Sequence, residues 1–256
     1  MATVTSKDGT TIAYDKSGQG PAVILVDGAM CHRTFGPMGG LAPLLAEHFT
    51  VYMYDRRGRG ESGDTAPYAV EREIEDIEAL INEAGGSAYM YGISSGAALA
   101  MAAANRLPSI KKLALYEAPY NFGRQQWAEY TKQLKETLSD GRRGDAIALF
   151  MTLVGMPAEA VAGMRQAPMW PGFEAVAPTL AYDAAALGDG SVPTARAAAI
   201  NVPTLVMDGG ASPAFMRETA QAIANAIPGA QYRTLEGQTH EVSAEALAPV
   251  LVEFFS

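Results

Sequence analysis

A serine, a histidine and a carboxylate in the right order are sufficient for acyl transfer, and the chain offers such a set around Ser94. Ser94 is the centre of Gly92-Ile93-Ser94-Ser95-Gly96, a G-x-S-x-G pattern that carries meaning only between a strand and a helix. The apolar run Ala88–Tyr91 precedes it and the Ala-rich segment Ser95–Arg106 follows. In such a turn, small residues two positions either side let strand and helix approach closely. The central hydroxyl then stands at a helix N-terminus, where free N–H groups and the helix dipole favour developing negative charge. A plain Gly/Ser turn with a serine N-cap would read the same way locally. The flanking elements and the residues below favour the nucleophile.

A nucleophilic serine needs a base. The chain has three histidines, His32, His48 and His240. His48 precedes a buried strand and His32 follows the first core strand. His240, in Gly237-Gln238-Thr239-His240-Glu241, lies after the last predicted strand and before the last helix. That position completes the chain order serine, acid, histidine, and makes His240 the expected general base. The oxyanion formed on attack needs two backbone N–H donors. Those expected are Ser95, next after the nucleophile, and either Gly28 or Ala29 in Asp27-Gly28-Ala29-Met30.

The elements that must hold these residues follow from the hydrophobic pattern. Residues 2–6 and 11–14 predict an opening hairpin around Asp8-Gly9. Apolar strands are predicted at 22–26, 49–54, 88–91, 112–116 and 204–207, with a last strand at 231–235. Unbroken apolar strands belong to sheets covered on both faces. Between them lie helical patterns such as Glu71–Glu83, with Ile74, Ile77, Leu80 and Ile81 at helical spacing and acidic residues elsewhere. This alternation predicts an α/β fold, a mostly parallel eight-stranded sheet flanked by helices. Residues 120–200 break the rhythm with helix-rich sequence and no convincing strand. They are expected to form an inserted helical cap on a core of 1–119 and 201–256.

Composition removes other classes of function. With 256 residues, 48% of them hydrophobic and 18% charged, the chain can bury one large core. A net charge of −9 argues against a nucleic-acid partner, which would require clustered Lys and Arg. The single cysteine, Cys31, allows no intrachain disulfide. The first residues lack a secretory signal pattern, and no apolar run approaches the roughly 18 residues a membrane span needs. These features predict a cytoplasmic protein with a small-molecule substrate and no membrane partner. Acyl transfer by this residue set needs no metal or organic cofactor.

Taken together, these residues resemble the α/β-hydrolase superfamily along essentially the whole chain. The Asp27-Gly28 loop, Asp55-Arg-Arg-Gly58-Arg-Gly60-Glu-Ser62, the Gly92–Gly96 elbow and the His240 loop fall in the family's order. The second of these is similar to the family's D-x-x-G-x-G-x-S turn, which implies a structural role and no chemistry for its arginines. The resemblance implies an acid in a loop after strand 204–207. Here that stretch is Met207-Asp208-Gly209-Gly210-Ala211-Ser212-Pro213, and Ser212 stands at the acid's position. A serine cannot stabilise an imidazolium as a carboxylate does.

Two acids remain open, Asp208 at the strand end and Glu117 in Leu115-Tyr116-Glu117-Ala118-Pro119. Haloalkane dehalogenases and fungal zearalenone lactonases place a glutamate after the strand corresponding to 112–116. The lactonases are also similar at Asp27-Gly28 and at Ser94-Ser95-Gly96-Ala97. The resemblance therefore favours Glu117 over Asp208 and implies hydrolysis of an ester or lactone through an acyl-enzyme. Dehalogenation would need an aspartate in place of Ser94. Trp170-Pro171-Gly172 looks like the cap segment that covers the substrate in the lactonases. Trp170, with Asp27 and Met30 of the oxyanion loop, is accordingly expected to contact an apolar ester or lactone. Hydroxynitrile lyases, cofactor-independent oxygenases and slow-turnover receptors use the same scaffold with the same serine and histidine.

Overall fold

A computed structural model describes all residues 1–256. Strands β1 (Ala2–Thr5), β2 (Thr11–Ser17), β3 (Ala22–Val26), β4 (Thr50–Tyr54), β5 (Ala88–Ile93), β6 (Ile110–Tyr116), β7 (Thr204–Gly209) and β8 (Gln231–Leu235) form one sheet in the order β1-β2-β4-β3-β5-β6-β7-β8. β1 and β2 pair antiparallel, as do β2 and β4, and the remaining pairs are parallel. This is the mostly parallel eight-stranded sheet that the pattern of apolar runs predicts. Alternate residues of β3 serve opposite faces: Ile24 and Val26 enter one core cluster, Val23 and Leu25 the other. Both faces must therefore be covered by helices.

Helices α1 (Met38–Leu45) and α11 (Ala244–Phe255) cover one face. Helices α2 (Val70–Glu83), α3 (Ser95–Ala104) and α10 (Ala214–Ala226) cover the other. In α2 the buried side chains Ile74, Ile77, Leu80 and Ile81 supply about 2 kcal/mol each. That outweighs the poor helix propensity of its three isoleucines, at most roughly 0.7 kcal/mol each. Its acidic residues do not all face outward, as the periodicity would suggest. Glu73 and Asp76 are buried because Arg56 and Arg57 of the preceding loop are buried against them.

Between β6 and β7 the chain forms only helices: α4 (Arg124–Ser139), α5 (Arg143–Leu153), α6 (Ala158–Met164), α7 (Trp170–Val176), α8 (Leu180–Leu187) and α9 (Thr194–Ala197), with a 3-10 turn at Ala177–Thr179. α8 packs directly on α3. No helix of the protein is long and apolar enough to cross a membrane.

Candidate active site

Four non-glycine residues have left-handed backbone: Met30 (φ 63°), Ser94 (φ 56°), Glu117 (φ 44°) and Asn121 (φ 68°). Ser94 and Glu117 come directly after β5 and β6, and Met30 lies in the loop after β3. Such conformations cost energy and persist only where the surroundings impose them, commonly at functional sites. At Ser94 the imposition is steric. A Cβ on Gly96 would lie 2.2 Å from the Val26 carbonyl oxygen, and one on Gly92 would lie 2.6 Å from the Gly96 carbonyl. Only glycine lets α3 start this close to β3 and β5. The Ser94 N–H donates to the Tyr116 carbonyl at 3.0 Å, which fixes the turn against β6.

His240 lies in the loop after β8, and its Nδ1 is 2.7 Å from Oε2 of Glu117. The other carboxylate oxygen of Glu117 accepts the Gly209 N–H at 2.8 Å. The histidine loop is pinned on the same side. The Tyr116 hydroxyl donates to the Thr239 carbonyl at 2.6 Å, and the Ala211 N–H donates to the Gln238 carbonyl at 2.8 Å. Burial pushes the Glu117 pKa up, but the bond from His240, aided by Ser212 and the Gly209 N–H, outweighs it and holds the carboxyl below its ordinary value. The Ser212 hydroxyl is buried beside this carboxylate, close enough to favour its charge but not in hydrogen-bonding geometry. The two ways of placing an acid, on β6 or after β7, thus lead to one point in space.

Asp208 does not reach that point. β7 runs on to Gly209, so Asp208 lies inside the ladder, paired with Thr234, rather than at the strand's end. Its fully buried carboxylate accepts hydrogen bonds from Tyr232 Oη (3.0 Å), Thr234 Oγ1 (2.8 Å) and Arg217 Nε (3.3 Å). None of these is a group of the histidine loop.

The oxyanion loop resolves one alternative. The Gly28 N–H donates to the Asp27 side chain at 2.8 Å and is therefore committed, contrary to its expected role as a donor. The N–H groups of Ala29 and Ser95 have no acceptor within the protein. Ser95 opens α3, where the first N–H groups of a helix are necessarily free. The second Asp27 oxygen is buried without a partner, and burial pushes the Asp27 pKa up to about 6.

Ser94, His240, Asp27, Ala29 and Ser95 line one cavity of about 1200 Å³. Ser94 and the imidazole share it without a hydrogen bond between them, a contact that commonly tightens only when substrate is in place. Its apolar wall comes from Phe122 just before α4, from Trp127 and Tyr130 of α4, from Phe150 and Leu153 of α5, and from Leu187 of α8. No lysine or arginine lines it, whereas Asp27, Asp183 and Glu241 do. No group of three or more His, Cys, Asp or Glu side chains is placed to hold a metal ion.

Two expected substrate contacts are absent from this wall. Met30 is buried in the core and does not line the cavity, because its left-handed backbone turns the side chain inward. Trp170 shares one buried face of α7 with Phe173 and Val176. Its ring meets Phe173 edge-on, with Arg165 over it, inside the helical section. The aromatic side chains that α4 presents to the cavity are Trp127 and Tyr130. Their signal in the sequence is an i, i+3 aromatic pair on the otherwise polar stretch Arg124–Ser139. His32 bonds to Thr34 in its own loop and lies outside the cavity.

The family model described as "Alpha/beta hydrolase family" matches residues 23–251. Among solved structures, an alpha/beta hydrolase from Sphaerobacter thermophilus DSM 20745 is 56% identical over 100% of both chains, with a TM-score of 0.89. An enol-lactonase from Burkholderia xenovorans LB400 superposes with a TM-score of 0.75 over 99% of each chain. At 23% identity that likeness is one of fold alone. Among curated proteins, the probable oxidoreductase EphD of Mycobacterium tuberculosis is 38% identical over 85 residues. That stretch spans 31% of this chain and only 14% of the relative's length.

Proposed function

Because the chain belongs to the alpha/beta hydrolase family, we propose that it hydrolyses a carboxylic ester or lactone through Ser94, His240 and Glu117. The observation that carries this reading is the 2.7 Å contact between His240 Nδ1 and Glu117 Oε2, beside a strained serine that shares the imidazole's cavity. A carboxylate on Nδ1 holds the proton there and leaves Nε2 as the basic nitrogen. Nε2 takes the hydroxyl proton as Ser94 Oγ bonds to the carbonyl carbon. The N–H groups of Ala29 and Ser95 receive the oxyanion. His240 then protonates the departing alkoxide and next draws a proton from water as it attacks the acyl carbon, and returns that proton to Ser94 Oγ as the acid leaves.

The cavity supports a bulky, apolar and uncharged substrate. Its volume exceeds the usual 300–1,000 Å³ of ligand sites, its wall is aromatic and aliphatic, and it offers no cation to a substrate carboxylate or phosphate. Residues 120–200 act in this reading as a cap over the serine, and Trp127 and Tyr130 take the place foreseen for Trp170. The test is covalent. A fluorophosphonate probe is expected to label wild-type protein on the Ser94 peptide and to leave Ser94→Ala unlabelled. Folded wild-type protein that stays unlabelled would rule out an acyl-enzyme and favour a lyase or oxygenase on the same scaffold.

A further inference from the structure

Three arginines, Arg56, Arg57 and Arg59, lie fully buried in the loop after β4, where the motif implies a structural turn and nothing more. Arg57 is satisfied by Asp76 and Asp8, away from the cavity. Arg56 and Arg59 behave differently, because both converge on Asp183, a buried carboxylate that α8 brings from the helical section. Arg59 Nη2 donates to both Asp183 oxygens at 2.8 Å, and Arg56 Nη1 donates to Oδ1 at 2.8 Å. The Ser95 hydroxyl donates to the same Oδ1 at 2.7 Å. Burial pushes the Asp183 pKa up, but the two guanidiniums outweigh it and hold the carboxyl below its ordinary value.

Arg56 Nε and Nη2 donate to Glu73 and Arg59 Nε donates to Thr179, while the Nη1 groups of both arginines reach the loop after β3. Arg56 Nη1 donates to the Asp27 carbonyl at 3.2 Å, and Arg59 Nη1 donates to the carbonyls of Gly28 and, at 3.3 Å, Cys31. The Gly28 carbonyl and the Ala29 N–H belong to one planar peptide unit. A donor fixed on that carbonyl therefore aims the Ala29 N–H to the opposite side and strengthens it as a donor. The other oxyanion donor is the backbone of Ser95, whose side chain is bound to Asp183.

We propose, building on the acyl-transfer reading above, that Asp183 is the positioning residue of the oxyanion hole. Through Arg56, Arg59 and Ser95 its carboxylate sets the spacing and aim of the Ala29 and Ser95 N–H groups, and it ties both to the seating of the helical section. Asp183 touches no reacting atom in this role. Its removal misdirects donors that act on the transition state, so kcat falls while KM holds.

The experiment compares Asp183→Asn with wild type on p-nitrophenyl butyrate and on its thiono counterpart, in which sulfur replaces the carbonyl oxygen. Sulfur makes poor use of N–H donors, so an intact oxyanion hole favours the oxo ester. The expected result is a roughly 100-fold fall in kcat for the oxo ester, comparable to the loss of one oxyanion donor. KM should stay within about three-fold, and the oxo/thiono rate ratio should shrink. An equal loss on both esters, or a loss that matches the unfolded fraction, would overturn the proposal. If Asp183→Asn does not fold, Arg59→Lys carries the same test, since one ammonium cannot replace a fork bridging Asp183 and the Gly28 carbonyl. Wild-type protein without Ser94-dependent turnover of either ester would instead sink the acyl-transfer reading, and the proposal with it.

Discussion

Two clusters of charge meet at the same edge of the sheet and are built in opposite ways. In one, a single carboxylate, Glu117, faces a single imidazole whose side chain is 39% exposed, next to backbone held in left-handed conformations. In the other, Arg56, Arg59, Glu73 and Asp183 are all buried and joined by hydrogen bonds in almost every direction. The first is open on the side where, in the proposed mechanism, a proton travels. The second has nowhere for a proton to go, and its two cations stay matched by anions. The difference separates moving charge from holding backbone still. Loss of Ser94 or of the half-exposed imidazole should cost rate with little stability, whereas loss from the second leaves a buried charge unpaired and costs stability as well.

The hardest test of this contrast is on the exposed cluster. Ser94→Ala and His240→Ala should each lower kcat by about 10⁶, with melting temperatures close to wild type. A thermal shift as large as that of a core variant would erase the distinction. Next in size is the acid. Glu117→Gln should lower kcat on p-nitrophenyl acetate by roughly 10⁴, and Asp208→Asn by less than about three-fold, because Asp208 bonds to Tyr232, Thr234 and Arg217 instead of the histidine loop. The reverse order would move the acid from β6 to β7.

Glu117 also carries a signature in pH. Its pKa is lowered in the folded protein, so its ionised form stabilises the fold above the ordinary glutamate value, and that contribution disappears as pH falls through the folded value. The gap in melting temperature between wild type and Glu117→Gln should therefore be wide at pH 7 and close under acid conditions.

The buried side of the contrast is probed by Asp76→Asn, which strips Arg57 of its bidentate partner far from the cavity. It should cost about 3 kcal/mol in chemical denaturation while the folded enzyme keeps its kcat. The smallest effect concerns Asp27. Its folded pKa is raised from 3.8 to about 6, so its contribution is intact below the unfolded value and is lost as pH rises through 6. Asp27→Asn should gain roughly 4–8 °C on wild type between pH 4.5 and pH 8 in a melting series. A gap that does not vary with pH would mean that Asp27 is ionised throughout.

Much of this is legible in the amino-acid sequence. The period of the apolar runs foretells the sheet, and the pentapeptide Gly92–Gly96 foretells the sharp turn, because both depend on sterics within a few residues. The substrate wall was harder to read. Trp170 and Trp127 both lie on buried faces of helices, and which of them faces the cavity depends on how α4 and α7 roll against α5. Met30 failed as a contact for a local reason, its left-handed backbone, which nothing in Asp27-Gly28-Ala29-Met30 announces.

The sequence by itself determined the sharp turn at Ser94, the histidine that follows the last strand and the scarcity of acids that could serve it. Only the tertiary structure decided which acid meets the imidazole, which loop N–H is free and which carboxylate neutralises the buried arginines. The physical reason is distance along the chain. Glu117 and His240 are 123 residues apart, and Ser95 and Asp183 are 88 apart. Contacts at that separation depend on strand lengths and register. Two further residues of β7 keep Asp208 in the ladder and leave the space beside His240 to Glu117.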